Sequence, residues 1–280
     1  MTFEILVSSV QKDARELVSQ MNISSDAVIM SQGEKEDSSE VFMLGEKRIT
    51  SLKSASKGVG LSRNTVFEHA AADVVLFADE DIVYENDYEA KVLKEFYDHQ
   101  DADMILFNVK VCDERKTYWN TKYAPVKWYN CGRYPAYAIA ARNGALKISG
   151  VKFSLLFGGG AKYSNGEDSL FLNDCLKAGM KIYASPVVIG EEIPRPSTWF
   201  FGYNDKFFYD RGVLYHFLYG KYAKLFGLRW LLKTKREFTA DGYKYDDAKK
   251  MLFLGVSDGP SVEKNPDSVS REFEDGRYAR

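Results

Sequence analysis

The sequence predicts an α/β fold in which helices flank a mostly parallel central sheet. The first observation is a strand–helix–strand order at the start of the chain. Apolar runs at Phe3 to Val10 and Asp26 to Ser31 enclose a segment of helical spacing, Lys12 to Met21. A unit of this kind favours parallel strand pairing. The second observation is the run Val74 to Ala78, which is apolar at every position and suits a strand buried on both faces of a sheet.

Apolar runs and helical spacing predict the remaining elements in order. The polar residues Gln32 to Glu40 indicate a loop after the second strand. Further strands are expected at Met104 to Val111, Ala136 to Ala141 and Lys181 to Ile189, the last as a pair of strands around Pro186. Further helices are expected at Thr65 to Ala72, Asn86 to His99, 167–179, Asn204 to Lys235 and Tyr243 to Leu254. Ser257 to Arg280 is polar without an apolar period, which predicts a mobile tail.

Composition bounds the class of protein. A chain of 280 residues with 45% hydrophobic residues can bury a large core. A net charge of −2 gives no electrostatic reason to expect a nucleic acid partner. The cysteines, at 112, 131 and 175, form no CxxC pair and suit the reduced thiols of a cytosolic protein. The sequence shows neither a basic leader nor an apolar stretch of about 18 residues, so we expect no signal peptide and no transmembrane helix.

Three carboxylates, Asp79, Glu80 and Asp81, follow the apolar run Val74 to Ala78. In open α/β sheets, ligands bind outside the carboxyl ends of the strands. Asp79 and Asp81 lie two residues apart, so their side chains point to the same side of an extended chain. Two carboxylates on one side can hold Mg²⁺ or Mn²⁺, and such an ion clamps a diphosphate. A solvated acidic turn explains this stretch equally well when it is taken alone.

The segment Lys57 to Asn64, with the sequence KGVGLSRN, predicts a phosphate site. Gly58 and Gly60 allow close approach of the backbone, and Ser62 can cap the helix that follows. A helix N-terminus is an anion site, to which Arg63 adds a bidentate phosphate donor. A glycine turn before a helix is common, and here it gains weight from the acidic strand that comes next.

The loop after the second strand is a candidate for contact with a nucleotide base. Gln32 or Glu34 would read the edge of the base from this position. The alternative for either residue is an ordinary solvated loop.

A second glycine-rich segment precedes a pair of carboxylates. Gly159 and Gly160, in a run of three glycines, free the backbone to lie against a ligand. Glu167 and Asp168 then open a helix after Gly166. A carboxylate at a helix N-terminus either stabilises the helix dipole, by about 0.3–1 kcal/mol, or acts as a general base directed into a cleft. Two adjacent carboxylates behind a flexible loop favour the general base.

The order of these motifs carries a family resemblance. The strand–helix–strand start, the glycine–Ser–Arg–Asn segment (Gly60 to Asn64), the Asp-x-Asp strand end (Asp79, Asp81) and the Gly-Glu-Asp helix start (Gly166 to Asp168) together resemble the inverting family 2 glycosyltransferases of the GT-A fold. The wider pattern from residue 158 to residue 200 resembles bacterial members that build capsule, lipopolysaccharide and exopolysaccharide repeat units. The resemblance covers residues 3–218.

The resemblance implies transfer of a sugar from a nucleotide sugar, with UDP as the default nucleotide, to a glycan acceptor. In this reaction Asp81 holds Mn²⁺ or Mg²⁺ with help from Asp79, and Asp168, or as second choice Glu167, is the general base. The residues expected around the nucleotide sugar are Ser8, Gln32, Glu34, Gly60, Arg63, Asn64, Asp79, Glu80, Gly159 and Gly160. The sequence departs from the family pattern after the first strand (Ser8 to Gln11) and after the second (Ser31 to Glu34).

The resemblance also divides the chain. We expect a catalytic GT-A domain with nucleotide-binding and acceptor halves, a helical extension and a tail, at residues 1–200 (1–110 and 111–200), 201–255 and 256–280. Trp199 is a candidate platform for the acceptor, because an aromatic face stacks on sugars, and a buried core tryptophan is the alternative. His216 is a candidate metal ligand, but its apolar and aromatic surroundings favour a core or interface histidine.

The stretch Lys221 to Arg236 mixes six Lys or Arg residues with tyrosine, tryptophan and leucine. Helical spacing brings Leu225, Leu228 and Leu232 to one face. This is the composition of a helix that lies in a membrane interface, and the resemblance implies an acceptor carried on a membrane polyprenyl diphosphate. The alternatives are packing on the catalytic domain with a solvated basic edge, or a homodimer contact. We therefore expect a cytoplasmic protein with peripheral contact to the inner face of the cell membrane.

Proteins of other classes share parts of this pattern. A sugar nucleotidyltransferase also uses an α/β sheet, glycines and acidic metal ligands. It needs a glycine-rich phosphate loop with a basic residue after the first strand, where Ser8 to Asp13 (SSVQKD) is a poor match. A glycosidase uses paired carboxylates but does not need the nucleotide-type start. A non-catalytic sugar-binding subunit leaves the acidic motif unexplained.

Overall fold

The computed structural model describes residues 1–194 and 202–267. These residues divide into two compact units. The first unit contains Met1–Phe153 and resumes at Phe171. The second contains Ser154–Leu170 and the described residues from 202 onward.

The described residues form ten strands in one sheet. The strands are β1 (Phe3–Val10), β2 (Asp26–Gln32), β3 (Ser38–Leu44), β4 (Lys47–Ser54), β5 (Val74–Asp79), β6 (Ile82–Tyr84), β7 (Met104–Lys110), β8 (Ala124–Pro125), β9 (Ile139–Arg142) and β10 (Ile182–Glu192). Their order is β3-β4-β2-β1-β5-β9-β7-β10-β6, and β8 pairs with β10. The run β4-β2-β1-β5 is parallel, as is the pair β7-β10. Because β9 is antiparallel to both β5 and β7, all six of these strands point the same way.

The helices of the described residues flank this sheet or form the C-terminal region. They are α1 (Ala14–Gln20), α2 (Val59–Glu68), α3 (Tyr88–Asp98), α4 (Asn143–Ser149), α5 (Glu167–Lys177), α6 (Asp205–Tyr219), α7 (Ala223–Ala240) and α8 (Tyr245–Lys264). The predicted α/β class, the mostly parallel sheet and the C-terminal helical region are confirmed.

Both faces of the sheet are buried, which explains the continuous apolar runs. On β1, Leu6 belongs to one core cluster, whereas Ile5 and Val7 belong to the cluster on the opposite face. In the first cluster, the ring of Phe77 lies 5.2 Å from Phe153 between centroids, in an edge-to-face contact. Aromatic pairs of this geometry stabilise a core by about 0.5–1.5 kcal/mol beyond their buried area.

Several element boundaries differ from the prediction. The residues 38–40 of the predicted loop begin β3, which forms an antiparallel hairpin with β4. Ser62 does not cap a helix, because α2 already begins at Val59 after Gly58, whose φ of 125° favours glycine. The predicted strand pair around Pro186 is the single strand β10, with register shifts where it pairs with β7.

The second unit has its own core between α6, α7 and α8. A Cβ at Gly212 of α6 would lie 2.0 Å from the carbonyl oxygen of Leu252 in α8, so the two helix backbones touch. Residues 257–264, expected in the tail, belong to α8, and Val262 is fully buried. The prediction failed there because glycines such as Gly259, which lies against His216, form a tightly packed helix face that resembles a polar linker in sequence. Residues 268–280 of the predicted tail lie outside the described residues.

No described helix has an apolar stretch long enough to cross a bilayer. The cysteines are free, and burial raises the pKa of Cys131 to about 11 and that of Cys175 to about 12. Buried thiols of this kind stay protonated and unreactive at neutral pH.

Candidate active site

The carboxyl ends of four parallel strands bring polar residues together at one edge of the sheet. Ser8 of β1 is paired in register with Asp79 of β5. Gln32 of β2 stands between Val10 of β1 and Ser54 of β4. Ligands of open α/β sheets bind at this edge. The structure therefore groups four polar residues that lie far apart in sequence, namely Ser8, Gln32, Ser54 and Asp79. All of them except Ser54 were predicted as site residues.

An ion pair joins the predicted phosphate segment to the acidic strand end. The Arg63 side chain is 4% exposed, and its Nη2 donates to Asp79 Oδ1 at 2.9 Å. One helical position before it, the Ser62 hydroxyl donates to Ser8 Oγ at 2.9 Å. Gly60 lies buried in the same first turn of α2. A buried cation is thus held at the carboxyl edge of the sheet, where a diphosphate would need one.

Asn64 is engaged with the protein's own backbone. Its Nδ2 donates to the carbonyl oxygen of Phe153 at 2.9 Å, and its Oδ1 accepts from the Phe153 N–H at 2.8 Å. Both halves of the amide are therefore used to hold Phe153 against α2. A contact of Asn64 with a nucleotide sugar stays a prediction.

Gln32 and Glu34, the two candidates for contact with a nucleotide base, differ in the hydrogen bonds of their side chains. Glu34 Oε1 accepts from the Ser31 hydroxyl at 2.6 Å. Gln32 is 4% exposed, and its Nε2 has no hydrogen-bond partner among the described residues. Buried polar groups are nearly always satisfied, so an unsatisfied amide at a ligand edge points to a partner outside the chain. Gln32 is the more suitable of the two for reading a base.

The acidic turn itself is partly engaged. Glu80 Oε2 accepts from the N–H of Val10 at 3.0 Å, which ties the turn to β1. Asp81 is 7% exposed, and its carbonyl oxygen accepts from the Ile193 N–H at 2.7 Å. Burial, with a smaller contribution from the carboxylates of Asp79 and Asp81, raises the pKa of Tyr84 well above its usual range.

The carboxylates of Asp79 and Asp81 could hold a metal ion together with further ligands from a bound molecule. Among the described residues, no group of three or more His, Cys, Asp or Glu side chains is arranged to hold a metal ion. Asp79 and Asp81 supply two hard oxygen donors, which suit Mg²⁺ or Mn²⁺ when diphosphate and water fill the other positions. The two carboxylates are thus compatible with an ion whose remaining ligands come from a bound nucleotide and water.

In the second unit, a hydrogen-bonded loop leads into α5. The Gly158 N–H donates to the Tyr163 carbonyl at 2.9 Å, and Gly160, with φ of 79°, lies exposed at the turn. Gly159, between them, is buried. Glu167, which is 9% exposed, and Asp168, which is half-buried, form the first turn of α5, as predicted.

Asp210, which no sequence motif marks, anchors this loop. Asp210 is 2% exposed on α6, and its Oδ2 accepts from the Ser164 N–H at 2.9 Å and from the Lys206 ammonium. Burial raises the pKa of Asp210, and Lys206 opposes the shift. No local signal marks an aspartate in mid-helix as buried, because the partner that explains it is 46 residues away.

Comparison with known proteins finds a family similar to part of the chain. Residues 26–153 match the sequence model of glycosyl transferase family 2. This region of the chain is therefore similar to family 2 glycosyltransferases. The resemblance drawn from the motif order is therefore confirmed over the region that holds Arg63, Asp79 and Asp81. No curated protein matches the chain by sequence.

Solved structures with the glycosyltransferase fold lie at low sequence identity. A 1–349 fragment of S. aureus TarS in complex with UDP-GlcNAc has a TM-score of 0.56 and 16% identity, over 78% of this chain and 66% of the fragment. A longer TarS chain is covered over 39% of its length, at 14% identity and a TM-score of 0.51. A mannosyltransferase from Pyrobaculum calidifontis, in complex with GDP-Man and Mn²⁺, has a TM-score of 0.50 and 12% identity, over 91% of this chain and 86% of that one. These likenesses show the fold, and the predicted GT-A architecture is confirmed.

Two further candidates lie outside the glycosyltransferase domain match. Trp199 lies outside the described residues, so its role as an acceptor platform stays a prediction. His216 Nε2 lies 3.0 Å from Glu263 Oε2, and its ring packs on Gly259. These contacts support the packing role for His216 that the sequence favoured over metal binding.

Proposed function

We propose that the protein is an inverting glycosyltransferase that moves a sugar from a nucleotide sugar to a glycan acceptor. The observation that carries this proposal is the buried Arg63 cation paired with Asp79 at the carboxyl edge of a family 2 domain. UDP is the proposed nucleotide, since the TarS fragment binds UDP-GlcNAc. GDP is the alternative, since the mannosyltransferase binds GDP-Man.

The donor would be held by residues of the first unit. Arg63 offers guanidinium N–H groups to phosphate oxygens, and the first turn of α2 adds its positive dipole end behind them. Gln32 would pair with the edge of the base through its amide, beside Ser8 on the neighbouring strand. Before the donor binds, the ion pair with Asp79 would keep the Arg63 guanidinium oriented. The diphosphate would then compete with Asp79 for this guanidinium.

A divalent ion, Mn²⁺ or Mg²⁺, is part of the proposal. Asp81 and Asp79 would hold the ion through carboxylate oxygens. When bound, it would neutralise the charge that develops on the departing nucleoside diphosphate. The remaining chemistry belongs to the chain's own side chains.

A carboxylate at the start of α5 would take the proton of the acceptor hydroxyl. We assign this role to Asp168, with Glu167 as the second choice, because Asp168 is the more exposed of the two. The hydroxyl oxygen forms a bond to C1 of the donor sugar as the bond from C1 to the phosphate oxygen breaks. A single displacement of this kind inverts the configuration at C1 and requires no covalent enzyme intermediate. Gly159 and Gly160 would line the sugar through their backbone.

The cellular role proposed is assembly of bacterial capsule, lipopolysaccharide or exopolysaccharide. Its acceptor would be a glycan carried on a polyprenyl diphosphate, so the reaction would take place in the cytoplasm at the inner face of the cell membrane. Trp199 remains the proposed platform for the acceptor glycan.

A panel of nucleotides and donors tests the proposal. Calorimetry with UDP, GDP and CDP in Mn²⁺ should give binding to UDP, and UDP-sugars should be hydrolysed slowly without acceptor. Formation of a nucleotide sugar from a nucleoside triphosphate and a sugar 1-phosphate would instead identify a nucleotidyltransferase. Glycan binding with no turnover of any donor would identify a non-catalytic subunit, and either result contradicts the proposal.

A further inference from the structure

Helix α7 has one face in the core of the second unit and one face exposed. Ala223, Gly227 and Leu231 recur every four residues and are buried. On the opposite side, Leu225 is 65% exposed and Leu232 is 61% exposed. These two leucines are seven residues apart, which is about two helical turns, so they lie on the same outward face. Together they form an exposed apolar strip that the described residues do not cover.

The exposed face of α7 is also strongly basic. The segment Lys221 to Arg236 contains six Lys or Arg residues and no Asp or Glu, although the whole chain has a net charge of −2. All six cations are exposed, at Lys221, Lys224, Arg229, Lys233, Lys235 and Arg236. Positive charge is therefore concentrated around the exposed leucines.

Cation–aromatic contacts extend this surface. Lys221 lies over the ring of Tyr222, which is 50% exposed, at 5.1 Å from the ring centroid. On α8, the ring of Phe253 has Lys224 Nζ at 5.7 Å and Lys249 Nζ at 5.8 Å from its centroid. We call the surface formed by Lys221–Arg236 together with Lys249 and Phe253 the basic face. It combines aromatic rings, leucines and cations within one surface.

We propose that the basic face docks on the surface of an anionic lipid bilayer, with α7 parallel to the membrane plane. The lipid headgroups would take the cations, and the leucines and Tyr222 would enter the boundary between headgroups and acyl chains. A nucleic acid offers the negative charge without an apolar phase for Leu225 and Leu232.

Vesicle sedimentation of the full chain tests this proposal. Vesicles of phosphatidylcholine alone are compared with vesicles that contain phosphatidylglycerol, at NaCl concentrations of about 50 mM and about 500 mM. We expect at least tenfold more protein to pellet with the anionic vesicles at low salt, and most of it to be released at high salt. Absence of pelleting with anionic vesicles at low salt overturns the proposal.

Two double variants separate the contributions of charge and insertion. Lys233→Glu with Arg236→Glu should abolish pelleting, whereas Leu225→Ser with Leu232→Ser should weaken it several-fold without changing the net charge. Lys122→Glu with Lys127→Glu is the charge-matched control on exposed residues of the first unit, and it should pellet like the wild type. If the control loses pelleting as fully as the first variant, the attraction is not specific to the basic face and the proposal fails.

Two further measurements distinguish other outcomes. UDP-sugar hydrolysis without vesicles should be unchanged in both α7 variants, so loss of membrane binding is separable from failure of the proposed transferase function. Sedimentation velocity should give a monomer for the wild type. A stable dimer that the leucine variant dissociates would show that a second copy covers this face, which overturns membrane docking.

Discussion

Arg63 Nη2 lies 2.9 Å from Asp79 Oδ1, although 16 residues separate them in the chain. The arginine side chain is almost fully buried, whereas the aspartate side chain is 28% exposed. The pair therefore sits with its cation inside the fold and its anion at the surface of the ligand edge. If a diphosphate binds at this edge, as proposed, it would meet a guanidinium that the ion pair with Asp79 already holds in place.

Arg63→Gln should weaken UDP binding at least tenfold and lower the free energy of unfolding by about 2 kcal/mol, since a hydrogen bond to a charged group is lost. Calorimetry and urea denaturation measure the two effects. Arg142→Gln is a matched control, because Arg142 donates to the carbonyl oxygens of Phe96 and Ala102 next to the start of β5, at the opposite edge of the sheet. It should reduce stability and leave UDP affinity unchanged. Equal UDP affinity in wild type and Arg63→Gln would contradict the phosphate role.

Asp81→Asn should remove the metal dependence of nucleotide binding. For the wild type, calorimetry should show tighter UDP binding in Mn²⁺ than in EDTA, because the ion joins the carboxylate to the diphosphate. The variant should bind UDP equally weakly in both buffers, with an unchanged unfolding transition. Asp98→Asn, an exposed aspartate on α3 paired with Lys94, is the control. Wild-type binding that is equally tight in EDTA would rule out the metal.

Asp168→Asn should keep UDP binding and lower sugar transfer by roughly 10²-fold, the scale for loss of a positioned general base. Glu167→Gln should have a milder effect, because Glu167 is the more buried carboxylate. Single-turnover transfer to an acceptor glycan, with UDP affinity measured in parallel, compares the two. If the larger loss falls on Glu167→Gln, the roles of the two residues are reversed.

Gly166→Ala should destabilise the start of α5. Gly166 has φ of +111°, and an added Cβ would lie 2.4 Å from a side-chain carbon of Leu214. We expect the free energy of unfolding to fall by about 1–3 kcal/mol. Gly144→Ala is the control, since Gly144 lies within α4 with open space around it, and there the change should be neutral or stabilising by up to about 1 kcal/mol. Denaturant unfolding of both variants checks the contrast, and a neutral Gly166→Ala would contradict it.

Alkaline pH should destabilise the fold partly through Tyr88. Tyr88 is fully buried, its hydroxyl lies 2.7 Å from Ser25 Oγ, and burial raises its pKa to about 12. A phenol whose pKa is higher in the folded chain than in the unfolded chain, where it is about 10, contributes stability that is complete below pH 10. This contribution is lost as pH rises from about 10 towards 12.

The free energy of unfolding at pH 8, 10 and 11 measures this effect. Tyr88→Phe should show a shallower decline above pH 10 than the wild type, because one buried phenol no longer titrates. Tyr97→Phe removes a hydroxyl that is 69% exposed and is the matched control. Identical slopes for Tyr88→Phe and wild type would show that this phenol does not govern alkaline unfolding.

The sequence predicted the central strands well because they are buried on both faces. β1, β2, β5 and β7 each contain a run of apolar residues, and their bounds agree with the prediction to within a residue or two. The hairpin of β3 and β4 was missed because β3 is a sheet edge with exposed residues such as Val41 and Met43. The first residues of β3, 38–40, are polar and exposed, so they were assigned to the preceding loop.

The candidate site, like the sheet, was only partly predictable from the sequence. Asp79, Asp81 and Arg63 belong to short motifs whose chemistry is visible in the residues themselves. The bonds from Asn64 to Phe153 and from Asp210 to Ser164 join segments 89 and 46 residues apart. Such pairs depend on how distant elements pack, and nothing in the local sequence indicates them.

The stacked rings of Phe153 and Phe171, 3.9 Å apart between centroids, mark where the chain leaves the first unit and where it returns. Because Phe153 and Phe171 are fixed within one core, the intervening residues 154–170 form a segment with both ends anchored. The entropic cost of closing such a segment rises by only about 0.6 kcal/mol for each doubling of its length. Closure entropy therefore sets only a weak limit on the length of this segment, which carries the glycine loop and both candidate bases, whereas contacts such as that of Ser164 with Asp210 limit its sequence. A change in the length of this segment would thus leave the two ends that anchor it, Phe153 and Phe171, in the same core.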